Sequence, residues 1–210
     1  NTADDAMKSL DLTRRATLLG GMAALGGCGA LGALNTAATP LPIYDLSARS
    51  GASAGRRTDR TLVVARPEAP ATLDTDRIMV RPDAVSVAYI PAARWGDDLP
   101  EVVQSLLVRS LSGTGRIGYV GRAEGGPVPD RALLTRIDAF EVVDAGESLT
   151  ARVAMSLTLI ADRSQRVIAS REFAGQALAG DETPRAVVQA FQAVLDAELP
   201  VMADWVASRA

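Results

Sequence analysis

Two hydrophobic periods organise the chain. Thr61-Leu62-Val63-Val64-Ala65 is an apolar run closed by Pro67 and Pro70, the pattern of a buried strand. Ile43–Ala48 reads as a strand before it, and residues 49–60 have turn composition and read as a loop. Ile78–Val80 predicts a short strand after a turn at Asp74–Asp76. Val85–Ile90 alternates and is β-branched, so it predicts another strand, broken by Pro91–Gly96. The period then lengthens. Leu99, Val102, Val103, Leu106 and Leu107 mark one face of a helix, with Leu111 close to it, ending at Ser112-Gly113. Asp98 stands at its N-cap, Pro100 in its first turn, and Glu101 three residues after Asp98 in a capping-box spacing.

Alternation returns at Ile117–Arg122 and, at greater length, over Arg131–Val143. There Leu133, Thr135, Ile137 and Ala139 share a face, and Phe140 and Val142 fall out of phase. A one-residue bulge near Ala139–Glu141 restores the register. Leu149–Ala161 and Arg166–Phe173 follow across short turns, completing an antiparallel meander. Thr183-Pro184 opens the last helix, whose apolar face is Val187, Val188, Phe191, Val194 and Leu195; Pro200 is expected to kink or divide it. The expected fold class is α/β in the α+β sense: a mixed, largely antiparallel sheet with two main helices packed on it.

The segment before the domain has a different character. Arg14-Arg15 precede a short apolar stretch that ends Leu25-Gly26-Gly27-Cys28, and Cys28 is the single cysteine. The stretch is shorter than the ~20 residues a membrane span needs. It has the basic, apolar and small-residue regions of a secretory signal. It looks like a bacterial lipoprotein signal with lipobox Leu25, Gly26, Gly27 and Cys28, which implies acylation of Cys28. Arg14-Arg15 also resembles a twin-arginine export signal, leaving the export route open. Met7-Lys8 is the more ordinary start, so residues 1–6 are read as an upstream extension. Residues 1–27 are then the signal peptide, 28–42 the lipidated N-terminus and flexible tether, and 43–210 a single domain. Gly29 after the cysteine resembles the sorting signal for the outer membrane rather than the inner.

Composition narrows the chemistry. Apolar residues make up 48% of the chain, enough for a sizeable core, and the net charge of −3 gives no basic footprint for nucleic acid. There is no histidine, and the sole lysine, Lys8, falls in the signal. Ser-His-Asp and Cys-His catalysis, Schiff-base chemistry, a phosphate-binding P-loop lysine and His/Cys zinc sites are thereby excluded from the mature chain. No catalytic residue, metal site or cofactor is expected, apart from the covalent lipid on Cys28. Gly113-Thr114-Gly115-Arg116-Ile117-Gly118 spells GxGxxG, but a helix precedes it and a strand follows, the reverse of a dinucleotide site. Asp97-Asp98 and Asp74/Asp76 are better read as capping and turn residues than as a catalytic or metal pair.

With the chain so organised, "LPIYDLSA", "LDTDRIMVRP", "VAYIPAARWGDDLPEVVQSLLVRSL" and a late "VIASREF" before the last helix resemble the ABC-type transport auxiliary lipoproteins. These are the PqiC-type lipoproteins of mammalian-cell-entry (MCE) systems. The resemblance covers nearly the whole mature chain and is strongest over residues 73–111. It implies an α/β domain without enzymatic activity and an envelope lipoprotein assisting intermembrane lipid or hydrophobic-solute traffic. Its implied partners are an MCE-type substrate-binding protein and an ABC permease and ATPase, with a homo-oligomer open by family analogy. A structural or activator lipoprotein of a cell-wall or secretion machine is the alternative. Tyr89, Arg94, Trp95 and Trp205 are candidate partner contacts, because aromatic and Arg side chains are enriched at interaction hot spots. Against this, Trp is usually highly buried, and Trp95 capping the core with Arg94 stacked on it is the favoured reading; for Trp205 the sequence does not decide.

Overall fold

The structure, a computed structural model, describes residues 41–123, 126–146 and 148–210. The signal peptide, Arg14, Arg15, the lipobox with Cys28, and the tether up to Pro40 lie outside the described residues. The elements are β1 (Ile43–Tyr44), β2 (Thr58–Val64), β3 (Arg77–Arg81), β4 (Ala88–Trp95), α1 (Leu99–Ser112), β5 (Ile117–Arg122), β6 (Arg131–Asp144), β7 (Leu149–Ala161), β8 (Arg166–Leu178) and α2 (Pro184–Ala207). The fold is the expected mixed α+β sheet with two helices.

β6 is the hub. One edge pairs antiparallel with β7 along its whole length, and β7 pairs likewise with β8. The other edge is shared by two parallel neighbours. β2 sits against Arg131–Leu133 and leads outward to β5; β3 sits against Glu141–Val143 and leads outward to β4 and β1. Between them Glu68 bridges to Arg136, so the fork still satisfies the β6 backbone. The inward positions Leu62, Val64, Leu133, Ile137, Val153, Met155, Leu157 and Leu159 join the buried faces of α1 and α2 in one core. A small second cluster, Val63, Ala132 and Ile160, lies on the opposite face.

The bulge in β6 falls between Ile137 and Ala139, leaving Asp138 as the extra residue, one position before the expected span. It turns Phe140 and Val142 inward. Gly115 takes φ +62° in the turn from α1 to β5, which is why a glycine stands there.

Four expectations are corrected. The first strand is Ile43–Tyr44 only; the chain then leaves the sheet as a strap. β4 spans Ala88–Trp95 and passes through Pro91, because β4 carries three more residues than β3 between their Tyr89–Met79 and Arg94–Arg77 pairs. Pro91 sits in that irregular stretch, where no ladder bond is lost; Val85 and Val87 lie in the turn before it. β8 runs on from Phe173 to Leu178. Finally, α2 passes Pro200 undivided. The proline removes a single N–H bond, to Asp196, while buried Leu195, Leu199, Met202 and Ala203 hold both sides to the core.

Candidate functional site

The aromatic candidates separate by burial. Trp95, at the end of β4, is 2% exposed. Its ring meets Phe140 edge-on at 5.8 Å and Phe191 at 5.5 Å, and those two phenyl rings stack at 4.7 Å. This trio ties β4, β6 and α2 together. Trp205 is also buried, edge-on to Phe173 at 5.8 Å, with Arg209 5.1 Å over its ring. Neither tryptophan offers a surface to a partner.

Tyr89 and Arg94 do reach the surface. The Tyr89 ring carries the Arg77 guanidinium at 4.3 Å, and its hydroxyl donates to the Thr72 carbonyl at 3.0 Å. Arg94 is not stacked on Trp95; it pairs with Asp76 at 3.6 Å. The structure therefore brings Asp76, Arg77, Tyr89 and Arg94 to the β3–β4 ribbon and sends Trp95 inward.

At the head of α1 the capping box does not form. Asp98 occupies the N-cap without a side-chain cap bond, and its N–H is taken by Asp97 Oδ1 at 2.9 Å. Glu101 is drawn away by two guanidinium groups: Arg66 at 3.0 Å, itself paired to Asp74 at 2.7 Å, and Arg122 at 3.0 Å. Charge-assisted bonds of this kind exceed a neutral cap bond. The hydrogen bonds to Asp74 and Glu101 hold Arg66 above its ordinary pKa despite partial burial. Asp74, Asp76 and Glu101 each have an ion-pair partner and Asp97 accepts from the Asp98 N–H, while the Asp98 side chain makes no cap bond.

Two polar assemblies gave no sequence signal. On the sheet face away from the helices, Glu141 is 4% exposed and accepts from Arg81 at 3.1 Å, with Arg152 at 3.6 Å. Nearby, Arg136 bonds Asp138, and Ser156 bonds both. Burial alone would raise the Asp138 pKa, but the Arg136 and Ser156 hydrogen bonds outweigh it and hold it below the usual carboxylate range. The other assembly is the strap, residues 45–57, which runs along α2. Ser47 N–H donates to Gln192 Oε1 at 2.8 Å and Gln192 Nε2 donates back to the Ser47 carbonyl at 3.1 Å. Arg49 pairs with Asp196 at 2.8 Å, and Ala52 N–H donates to Asp204 Oδ1 at 2.8 Å. Arg116, almost buried, pairs with Asp204 at 3.2 Å. Gln192, Asp196 and Asp204 recur at multiples of four, the period of one helix face, but their partners in the strap lie 145 to 152 residues away.

Among the described residues no group of three or more acidic or thiol ligands could hold a metal. The surface depressions are shallow; one of about 710 Å³ is lined by Val143, Thr150, Arg152, Gln176, Ala177 and Leu178.

Protein XCC0632 from Xanthomonas campestris, of the DUF330 family, superposes with a TM-score of 0.72 at 26% identity, over 79% of this chain and 94% of that one. An uncharacterized protein of known structure shares the fold with a TM-score of 0.60 at 14% identity, over 79% and 95%. No curated protein matches the chain. The family model described as ABC-type transport auxiliary lipoprotein component matches residues 44–202, the whole folded domain from β1 into α2. The chain belongs to the ABC-type transport auxiliary lipoprotein component family.

Proposed function

We propose that this protein is the accessory lipoprotein of an MCE-type intermembrane transport system, serving the movement of lipid or another hydrophobic solute. Acyl chains on Cys28 hold it at the periplasmic face of the outer membrane, an MCE-type substrate-binding protein is its direct partner, and an ABC permease and ATPase supply the energy. The observation that carries the reading is the family match across the entire domain. The family is a transport auxiliary, not an enzyme class. The side-chain chemistry is consistent with that: Asp74, Asp76 and Glu101 are engaged in ion pairs, and Asp97 holds the turn before α1 by accepting from the Asp98 N–H. More than one acyl chain is needed for firm anchoring, which lipoproteins of this type supply.

The test is affinity purification from cross-linked, detergent-solubilised membranes with partners identified by mass spectrometry. Retention of an MCE protein together with a permease is the expected result. Retention of cell-wall synthesis or secretion components, with no transporter, overturns the reading in favour of a structural lipoprotein of another envelope machine. The same material run on a native-mass measurement reports whether the subunit is a homo-oligomer.

A further inference from the structure

We propose that the tip of the β3–β4 hairpin, residues 82–88, rests on the surface of the membrane that holds the lipid anchor, with Val85 and Val87 as its lipid-facing side chains. This rests on the reading that Cys28 is acylated.

All seven residues of the tip are exposed, and five of them, Pro82, Ala84, Val85, Val87 and Ala88, are apolar. Val85 is 90% exposed, more than any other large apolar side chain among the described residues. An apolar tip this open is not explained by packing within the domain. The tip is nevertheless shaped: Asp83 Oδ1 accepts from the N–H groups of Val85 at 2.8 Å and Ser86 at 2.7 Å. Its one carboxylate is thus used to hold the turn, and the valines project beyond it.

The path of the chain indicates what the tip meets. β1 runs parallel to β4, with Ile43 beside Arg94 and the Pro42 carbonyl accepting from Arg94 N–H at 3.3 Å. Followed backward from Ile43 to Leu41, the first described residue, the chain runs along β4 in the direction of Ala88 and the tip. Leu41 and Ile43 are both exposed along that edge, Ile43 beside Arg94 in the half of β4 away from the tip. The thirteen residues from Cys28 to Pro40 span at most about 45 Å, so an acylated Cys28 stays within reach of the tip.

Charge at this end sets the kind of surface. Arg81, Val143, Thr150 and Leu178 are in register across β3, β6, β7 and β8, so the loops beyond them lie together. Those loops carry Asp83, Asp144, Asp181 and Glu182 against the exposed Arg185 at the head of α2, whereas Arg81 and Arg152 are turned to Glu141. An acidic rim repels a strongly anionic surface, so the contact is a shallow apolar one with a bilayer rich in zwitterionic lipid, made effective by the anchor's local concentration. A protein with a basic rim around an apolar groove also suits these charges, and the experiment separates the two.

With Cys28 acylated, an introduced cysteine is the only free thiol. The full-length lipidated protein carrying Ala84→Cys, labelled with an environment-sensitive dye, is reconstituted in phosphatidylethanolamine vesicles with a minor share of phosphatidylglycerol. Headgroup-borne quenchers in the same vesicles read its proximity to lipid. The label at Val167→Cys, an exposed position at the start of β8, is the control, and intact mass reports acylation. The expected result is a blue-shifted emission quenched by lipid at residue 84 and not at 167. Adding Val85→Asp and Val87→Asp, both on exposed positions, lowers that quenching at least fivefold with the unfolding midpoint unchanged. No quenching at 84, or equal quenching at both sites, on acylated protein overturns the proposal and leaves the anchor reading intact. A blue shift that appears only when the transport components are added, without lipid quenching, assigns the tip to a protein partner and also overturns it. Protein without acyl on Cys28 removes the anchor reading and the proposal together.

Discussion

Replacing Trp95 with alanine distinguishes a core role from a contact role. The side chain is 2% exposed and contacts Phe140 and Phe191 edge-on, so truncation empties a site bounded by β4, β6 and α2. A buried aromatic of this size covers ~200 Å², which at ~25 cal/mol per Å² is about 5 kcal/mol. Phe and Trp truncations in cores cost about 3–5 kcal/mol, and the two lost ring contacts, at about 0.5–1.5 kcal/mol each, fall within that range. Against a total stability of about 5–15 kcal/mol this is a large fraction. For a chain of this length, each kcal/mol moves Tm by about 2–4 °C, so a fall of roughly 6–20 °C is expected. Urea unfolding followed by far-UV circular dichroism gives the measurement without relying on tryptophan emission, and Trp95→Phe is expected to recover more than half the loss. A Trp95→Ala protein with an unchanged midpoint and lost partner retention would refute the assignment of Trp95 to the core and restore it as a contact residue.

Other perturbations test other parts of the fold. Gly118→Ala places a Cβ 2.7–2.9 Å from the Asp59 backbone across the β2–β5 pair and is expected to cost about 1–3 kcal/mol by urea unfolding. Glu141→Ala strips the buried acceptor from Arg81 and Arg152 and is expected to cost about 2–3 kcal/mol, with Glu141→Leu costing less because it refills the space. The Asp196 carboxylate is held below its usual range by Arg49 first, and by Gln192 against partial burial. Its folded pKa lies below the unfolded value of ~3.9, so its contribution is present above that pH and is lost as pH falls through the folded value. Amide protection factors at residues 47–52, taken relative to intrinsic exchange at each pH, are therefore expected to fall below about pH 4, and Asp196→Ala to show the same fall at neutral pH; unchanged protection in both would show that Asp196 does not hold the strap.

Sequence patterning was strong where a single element decides its own structure. The β6–β7–β8 meander follows from alternation and short turns, and the bulge follows from the phase break before Phe140. Thr183 caps α2 by accepting from Ala186 N–H at 3.2 Å, as Thr-Pro at a helix start predicts. Misreadings occurred where a distant partner decides. Ile43–Ala48 has strand composition, yet past Tyr44 the Ser47 backbone bonds to Gln192, the Leu46 carbonyl accepts from Arg109, and the Leu46 side chain goes into the core. Asp98 and Glu101 have the spacing of a capping box, yet Arg66 and Arg122 arrive from other elements and take the Glu101 carboxylate. Pro91 and Pro200 read as breaks because local rules count the missing N–H; they persist because an irregular ladder and a buried helix face make its absence inexpensive.

The same distinction governs the functional candidates. A tryptophan between a strand and a helix has the same composition whether it closes the core or waits for a partner, and with aromatics at 4% of the chain few are available to pack the core. Trp95 and Trp205 are consumed in that way, each meeting a phenylalanine edge-on. What is left for contact is made of smaller residues: the Arg77–Tyr89 and Asp76–Arg94 pairs on the β3–β4 ribbon, and the valines at its tip. Valines 85 and 87 fit a strand pattern, and in sequence they are indistinguishable from core positions. Only the pairing of Ala88 with Val80 shows that the ladder ends before them, leaving Val85 and Val87 outside the sheet with no neighbour of their own to cover them. A domain that buries its large aromatics and exposes an ordered apolar hairpin is built to touch something apolar, and the backbone hydrogen bonds from Val85 and Ser86 to Asp83 hold that hairpin in shape before contact, so that little ordering entropy remains to be lost on docking.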